Sequence, residues 1–444
     1  MLSPTPMNDA NPREQAAAPA GMTAEGNSAK PPRRRSRRLI IGLLSGVALV
    51  AVGWLFLKPW LLPRVLAWHH ARAARSELKN YHNPQALRHL KECMLQWPND
   101  PDLLILAARA ERRASHYAEA ERLLDQYQKA RGVDKRYSLE ELLLSAERGV
   151  DRVADQCWRY VEQGDDDTVL ILEALIRGYV RQYQLGGARK CLDRWLQMQP
   201  SCAQAQYLDG QYQLDYSHKA DRAGESFRRA VDLDPEHEEA RICLAVALLE
   251  SHDPTNVTEA LKHLEFVRER QPENLSVQVG LAEGHNDLGQ QAQAIKIVDG
   301  VLAERPDFAP ALALRGRLAA DQGQFADAEN WLRKALVGDP NNFVVRYRLA
   351  QCLLSNGKDE EARQLEKESK QVLEDLGRYD QIVTHDLPAA PHSAALQCEL
   401  GQVLIRLGRR DEGARWLERA LHEDPQYAPA QKALTELMKK GEAK

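Results

Sequence analysis

"GQFADAENWLRKALVGDPNN" occupies residues 323–342, and its order of residue types decides the fold. A glycine breaker comes first, then Phe325, then the small residue Ala328. Ala335 stands seven positions later, and Pro340 follows five further on. Seven residues are close to two turns of α-helix, so Ala328 and Ala335 share a face. Small side chains on one face mark where a second helix comes close, while Leu332 and Trp331 fill the flanking space. Proline cannot continue a helix, so the run predicts a helix stopped just before it.

The pattern returns along the chain at a period near 34. The small residue that opens the second helix of each unit is Ala86, Ala120, Ala154, Ala188, Ala223, Ala260, Ala294, Ala328, Ala362 or Gly413. Seven positions on stand Cys93, Tyr127, Val161, Trp195, Ala230, Val267, Val301, Ala335, Ser369 and Ala420. Prolines close most units, at Pro98, Pro200, Pro235, Pro272, Pro306, Pro340 and Pro425. The first helices carry small residues of their own, among them Ala74, Ala108, Ala245, Ala282, Gly316, Ala350 and Gly401.

These residues resemble the tetratricopeptide repeat, a helix–turn–helix unit. The resemblance predicts an all-α fold, an α-solenoid of about ten units spanning 64–444; the apolar run at 39–57 adds a single transmembrane helix before it. The units fall at 67–100, 101–134, 135–168, 169–203, 204–237, 238–274, 275–308, 309–342, 343–376 and 394–427, with a cap helix at 428–441. Unit 135–168 lacks the small residue in its first helix, and unit 238–274 is longer in "ESHDPTNVTEA". Residues 377–393, "LGRYDQIVTHDLPAAPH", break the period. Apolar spacing predicts that the preceding helix runs long and that a Pro-rich loop leads to the last unit.

By the same resemblance, the first helices line a concave wall that takes an extended peptide or a partner helix. The inward positions of the early units are Arg72, Arg75, Arg109, Arg112, Arg113, Arg177 and Arg181. The middle units offer Tyr212, Tyr216, Glu283 and Asn286, and the later ones Arg317, Tyr347 and Arg348. This reading gives a wall that is basic at its start and acidic in its middle, with an acidic stretch of the partner directed at Arg177 and Arg181.

The totals set limits. The 444 residues carry a formal charge of −4, yet residues 1–38 hold seven Lys/Arg against three Asp/Glu. A mildly acidic body argues against nucleic acid as the ligand. Residues 1–38 lack apolar periodicity and read as a disordered basic tail. "LIIGLLSGVALVAVGWLFL" (39–57) has no charge and, as a helix, extends about 28 Å, the thickness of a bilayer core. A single-pass anchor over 39–60 is expected, with possible weak self-association through Gly42 and Gly46. The arginines at 33–38 favour a cytoplasmic tail and an exported body. The seven cysteines, none in C-x-x-C spacing, suit a reducing compartment and keep the opposite topology open.

No phosphate loop, dinucleotide-binding glycine motif, H-E-x-x-H or G-x-S-x-G occurs. The expected function is a membrane-tethered interaction scaffold that binds other proteins, not an enzyme, with no cofactor and no metal. The alternative is a structural or assembly subunit of an envelope secretion or biogenesis complex.

Overall fold

The structure, a computed structural model, describes residues 62–149, 152–182, 184–217 and 220–441. The tail, the uncharged run at 39–57 and the Gly42/Gly46 pair lie outside the described residues. Among those described, no helix is long and apolar enough to cross a membrane. Everything below concerns the body from Leu66 onward.

Among the described residues every regular element is helical. A helix whose described part is 62–79 (α1) is followed by α2 (Asn83–Met94), α3 (Pro101–Arg113) and α4 (Tyr117–Arg131). Then come α5 (Lys135–Arg148), α6 (Ala154–Gln163), α7 (Thr168–Arg181), α8 (Leu185–Met198), α9 (Ala203–Ser217) and α10 (Ala220–Leu233). The middle comprises α11 (Glu238–Leu249), α12 (Pro254–Arg270), α13 (Leu275–Asp287), α14 (Gln291–Glu304), α15 (Ala309–Asp321) and α16 (Phe325–Gly338). The last part holds α17 (Phe343–Ser355), α18 (Asp359–Gln381), α19 (Leu387–Ala389), α20 (Ala394–Arg406), α21 (Arg410–Glu423) and α22 (Ala428–Gly441).

Small residues set the packing. Ala120, Ala188, Ala260, Ala294, Ala328 and Ala362 are wholly buried at the helix contacts. A Cβ added to Gly316 would come within 2.7 Å of Leu332, and one on Gly413 within 2.6 Å of the Gly401 carbonyl. Those pairs touch too closely for any side chain. Where the small residue is missing, the pair loosens. Leu142 takes its place in α5, and α5 packs more extensively on α7 than on its own partner α6.

The loops carry a bond of their own. In five units the residue six positions after the closing proline donates its side-chain N–H to that proline's carbonyl. Gln206 does so at 3.1 Å, Arg241 at 2.7 Å, Gln278 at 2.8 Å, Arg346 at 2.7 Å and Gln431 at 2.8 Å. Each bond satisfies a loop carbonyl just beyond the ended helix and ties the loop to the next first helix.

Successive first helices touch one another, as α11 does α13, α13 does α15 and α15 does α17, more than successive second helices do. The array therefore curves with the first helices inside. It curves tightly enough to meet itself twice. At the first seam, the turn before α2 and the start of α2 land on α8, the loop after α10 and the start of α11. The Tyr81 ring lies 5.9 Å from that of Trp195, His82 bonds Asp234 at 2.7 Å, and Gln85 donates to Glu238. At the second, Arg419 donates to the carbonyl of Gln182 at 3.1 Å.

The region 377–393 builds that second seam. Helix α18 runs 23 residues to Gln381, passes through a π-helical turn (Ile382–Asp386) and ends in α19. The expected long helix is present, and it reaches further than the expected loop allowed: only Ala390–Ser393 separate it from α20. Ile382, Val383 and Leu387 are buried in one cluster with Leu185, Leu404 and Trp416, and Tyr212 packs on it. The segment is an intramolecular strut.

Candidate functional site

Two walls of first helices can be compared residue by residue. The first is made by α3, α5 and α7. Arg109 donates to Glu140 at 2.5 Å, Arg112 donates to Glu147, and Arg113 donates to Glu173 at 2.8 Å. Arg113 also reaches the carbonyl of Leu78 at 2.8 Å, and Arg177 that of Arg113 at 2.6 Å. Arg112, Glu140, Glu147 and Glu173 are each no more than 1% exposed. Burial alone would raise the Glu173 carboxyl, but Arg113 and Arg177 hold it below the usual carboxylate range. For Glu147 burial outweighs Arg112, and its carboxyl is pushed up.

The expected basic wall is therefore not a free one. Arg109, Arg112, Arg113 and Arg177 are engaged within the chain, and Arg181 lies over the Tyr117 ring at 4.9 Å. A buried guanidinium needs a fixed counter-charge, and Glu140, Glu147 and Glu173 supply it. The sequence reading omitted those three acids. The signal was separation: Glu140 follows Arg109 by 31 residues and Glu147 follows Arg112 by 35, close to one repeat. Arg72 and Arg75 stay exposed on α1, and Arg75 lines a hollow of about 370 Å³ with Arg109 and Arg136. Tyr212 donates to the carbonyl of Leu185 at 3.2 Å, so it serves the second seam; the side chain of Tyr216 is outside the described residues. A cavity of about 500 Å³ remains beside the first seam, lined by Tyr81, Arg113, Arg177, Tyr207 and His237 among others.

The second wall is made by α11, α13, α15 and α17, and it is open. Val246 is 47% exposed, and along α17 Val344, Tyr347 and Leu354 are 46%, 55% and 45% exposed. Positions 344, 347, 351 and 354 fall on one helical face, opposite the buried Val345, Leu349 and Leu353. Glu283, Asn286, Arg317 and Arg348 are half-buried on the same wall. Glu283 has Arg317 at 3.8 Å, and its carboxyl is raised by burial and by Asp287 against the opposing pull of Arg317 and His252. Of the expected wall residues, Glu283, Asn286, Arg317, Tyr347 and Arg348 thus share an accessible surface, Arg72 and Arg75 stay exposed on α1, and Tyr212 and the arginines of α3 and α7 are engaged within the chain.

The match to a family model agrees with a helical-repeat architecture. The tetratricopeptide repeat family model matches residues 255–318 and 319–368, which include most of the open wall. A 166-residue stretch is 31% identical to cellulose synthase operon protein C of Pseudomonas fluorescens, covering 34% of this chain and 13% of that protein. A 127-residue stretch is 29% identical to human DnaJ homolog subfamily C member 3, covering 29% of this chain and 22% of that one. The chain thus spans 13% and 22% of the length of these curated relatives. Among solved structures, a tetratricopeptide repeat protein from Parabacteroides merdae is similar at 16% identity, with a TM-score of 0.34 over 65% of this chain and 99% of its own. A thermophilic TPR protein from Thermus thermophilus is similar at 19% identity, with a TM-score of 0.28 over 53% and 98%.

Proposed function

We propose that this helical-repeat protein is a membrane-tethered scaffold that acts by contact and not by catalysis, holding an extended peptide or helix of a partner on the wall of α11, α13, α15 and α17. One observation carries the reading: that wall presents Val246, Val344, Tyr347 and Leu354 to solvent, whereas the inward positions of α3, α5 and α7 are consumed by buried ion pairs. Solvated apolar side chains grouped on a concave surface favour association, because covering them removes apolar area from water. The tether rests on the uncharged run at 39–57 and the arginines before it.

A photo-activatable residue placed at Tyr347, in the full chain in its native membrane, tests the reading. It should give a discrete cross-linked product that Val344→Asp removes, while the same group at Lys334 should give none. Products from Lys334 alone would place the partner elsewhere. Protease added to sealed vesicles would report which side carries the repeats.

A further inference from the structure

The open wall also differs from the closed one in how its acids are balanced. In α3, α5 and α7 each inward carboxylate has an arginine within bonding distance. Across α11, α13, α15, α17 and the turn after α11, the inward charges are Glu239, Glu250, Glu283, Asp287 and Asp321 against Arg317 and Arg348, with Glu239 beside His237 at 3.4 Å. Asp287 is approached by His252 at 3.0 Å, and Glu283 has Arg317 only at 3.8 Å, beyond hydrogen-bonding reach. The wall thus combines an apolar face on α17 with carboxylates on α11 and α13 that lack a bonded arginine or lysine.

We propose that this wall selects a basic amphipathic segment of a partner protein. Its lysine or arginine side chains face Glu250, Glu283 and Asp287, and its apolar side chains cover Val344, Tyr347 and Leu354. The inference rests on the reading that this wall is the binding surface and adds the chemistry of the occupant. Charge complementarity fixes the sign: a cation placed beside Glu283 gains Coulomb energy in a half-buried setting, where screening is weak. An acidic segment would meet five carboxylates and two arginines. The size follows from helix spacing. Three steps between neighbouring first helices, about 9 Å each, span about 27 Å, the reach of about eight extended or eighteen helical residues.

The test uses the full chain in detergent and two labelled peptides of about eighteen residues. Both carry Leu at i, i+3 and i+4 spacing; the polar face of one is Lys and Arg, that of the other Glu. Fluorescence anisotropy should show saturable binding of the basic peptide alone, weakened about tenfold or more between about 50 and 300 mM salt. Glu283→Lys with Asp287→Lys should weaken it about tenfold, and the exposed Glu250→Lys, which threatens no fold, should weaken it less. Equal binding of the acidic peptide, no binding of either, or indifference to Glu250→Lys and Glu283→Lys would each overturn the inference. The cross-link at Tyr347 separates the two levels. If it persists while the basic peptide fails, only the chemistry of the occupant is wrong; if both fail, the wall itself is not the binding surface.

Discussion

The walls formed by α3, α5 and α7 and by α11, α13, α15 and α17 come from the same helical hairpin, yet they use their inward positions in opposite ways. In the first, Arg112, Arg113, Glu147 and Glu173 close the interior with buried charge. In the second, Tyr347 and its neighbours stay in water. A repeat fixes where a side chain points and leaves free what it meets. Stacked repeats normally interact with nearest neighbours only, and their stability is close to a sum of local terms. Helices α13 to α17 fit that description. The early units do not, because His82, Gln85 and Gln182 bond partners 152, 153 and 237 positions away, and Gln85 ties the start of α11 into the first seam. A wall held from behind and from across the coil suits rigidity; one held mainly by neighbours suits accommodation.

The sharpest way to break the contrast is to remove one charge from the closed wall. Glu173→Ala leaves the Arg113 guanidinium buried and without its carboxylate, a change that costs about 3–5 kcal/mol. Amide exchange should rise across α3, α5 and α7 while α13 to α17 stay protected. Pairing Arg113→Met with Glu173→Leu should restore most of the protection, since apolar side chains of similar volume replace buried ion pairs at little cost. If Glu173→Ala raised exchange equally in both walls, the array would unfold as one unit and the distinction would fall. A smaller effect is expected at the strut. Val383 is 3% exposed, and Val383→Asp puts a carboxylate into the cluster around Leu185. Exchange should rise near Leu185 and in α18 beyond Val372, and the peptide at Tyr347 should remain as in the parent chain.

Much of this was legible in the residues. The spacing of Ala86, Ala120, Ala188 and their successors located the hairpins, because helix contact requires small side chains at fixed intervals and nothing else satisfies that need so cheaply in volume. Tyr347, Arg317 and Glu283 were placed on a common wall by the resemblance to the repeat, which says which positions of the first helices face inward. The role of Arg112 and Arg113 was missed for a physical reason: helical period tells that a side chain points inward, not whether a neighbouring unit brings an acid to meet it. The seams were less legible still. They depend on the summed rotation of many units, each set by packing details that no single motif records. One local sign existed. Gly289, Gly323 and Gly357 occupy the turn between paired helices with φ of +74 to +76°, and Tyr81 takes the corresponding place at +65°. A tyrosine held in a conformation that favours glycine points to a second constraint, here the contact with Trp195 and with Arg113, whose guanidinium lies 4.4 Å above its ring.

The smallest expected effect also gives the finest measure of how far the first seam matters. His82 is held by Asp234 and Glu77, each at 2.7 Å. The bond to Asp234 raises the imidazole most, burial opposes it, and Glu77 adds to the rise, bringing it to about 9. A folded value above the unfolded 6.5 means that the stabilisation is complete below about pH 6.5 and is lost as pH climbs through about 9. His116 supplies the control. It bonds Glu111 at 2.7 Å in the same local arrangement, but it is 65% exposed and meets nothing across a seam. The melting temperature of the parent chain should exceed that of His82→Gln at pH 6, exceed it less at pH 8, and match it by pH 10. His116→Gln should differ little from the parent at every pH, because an exposed pair of this kind contributes at most about 1 kcal/mol. A gap for His82→Gln that widened with rising pH would mean a neutral imidazole in the seam, and the two turns of the coil would then be joined by packing of Tyr81 and not by charge.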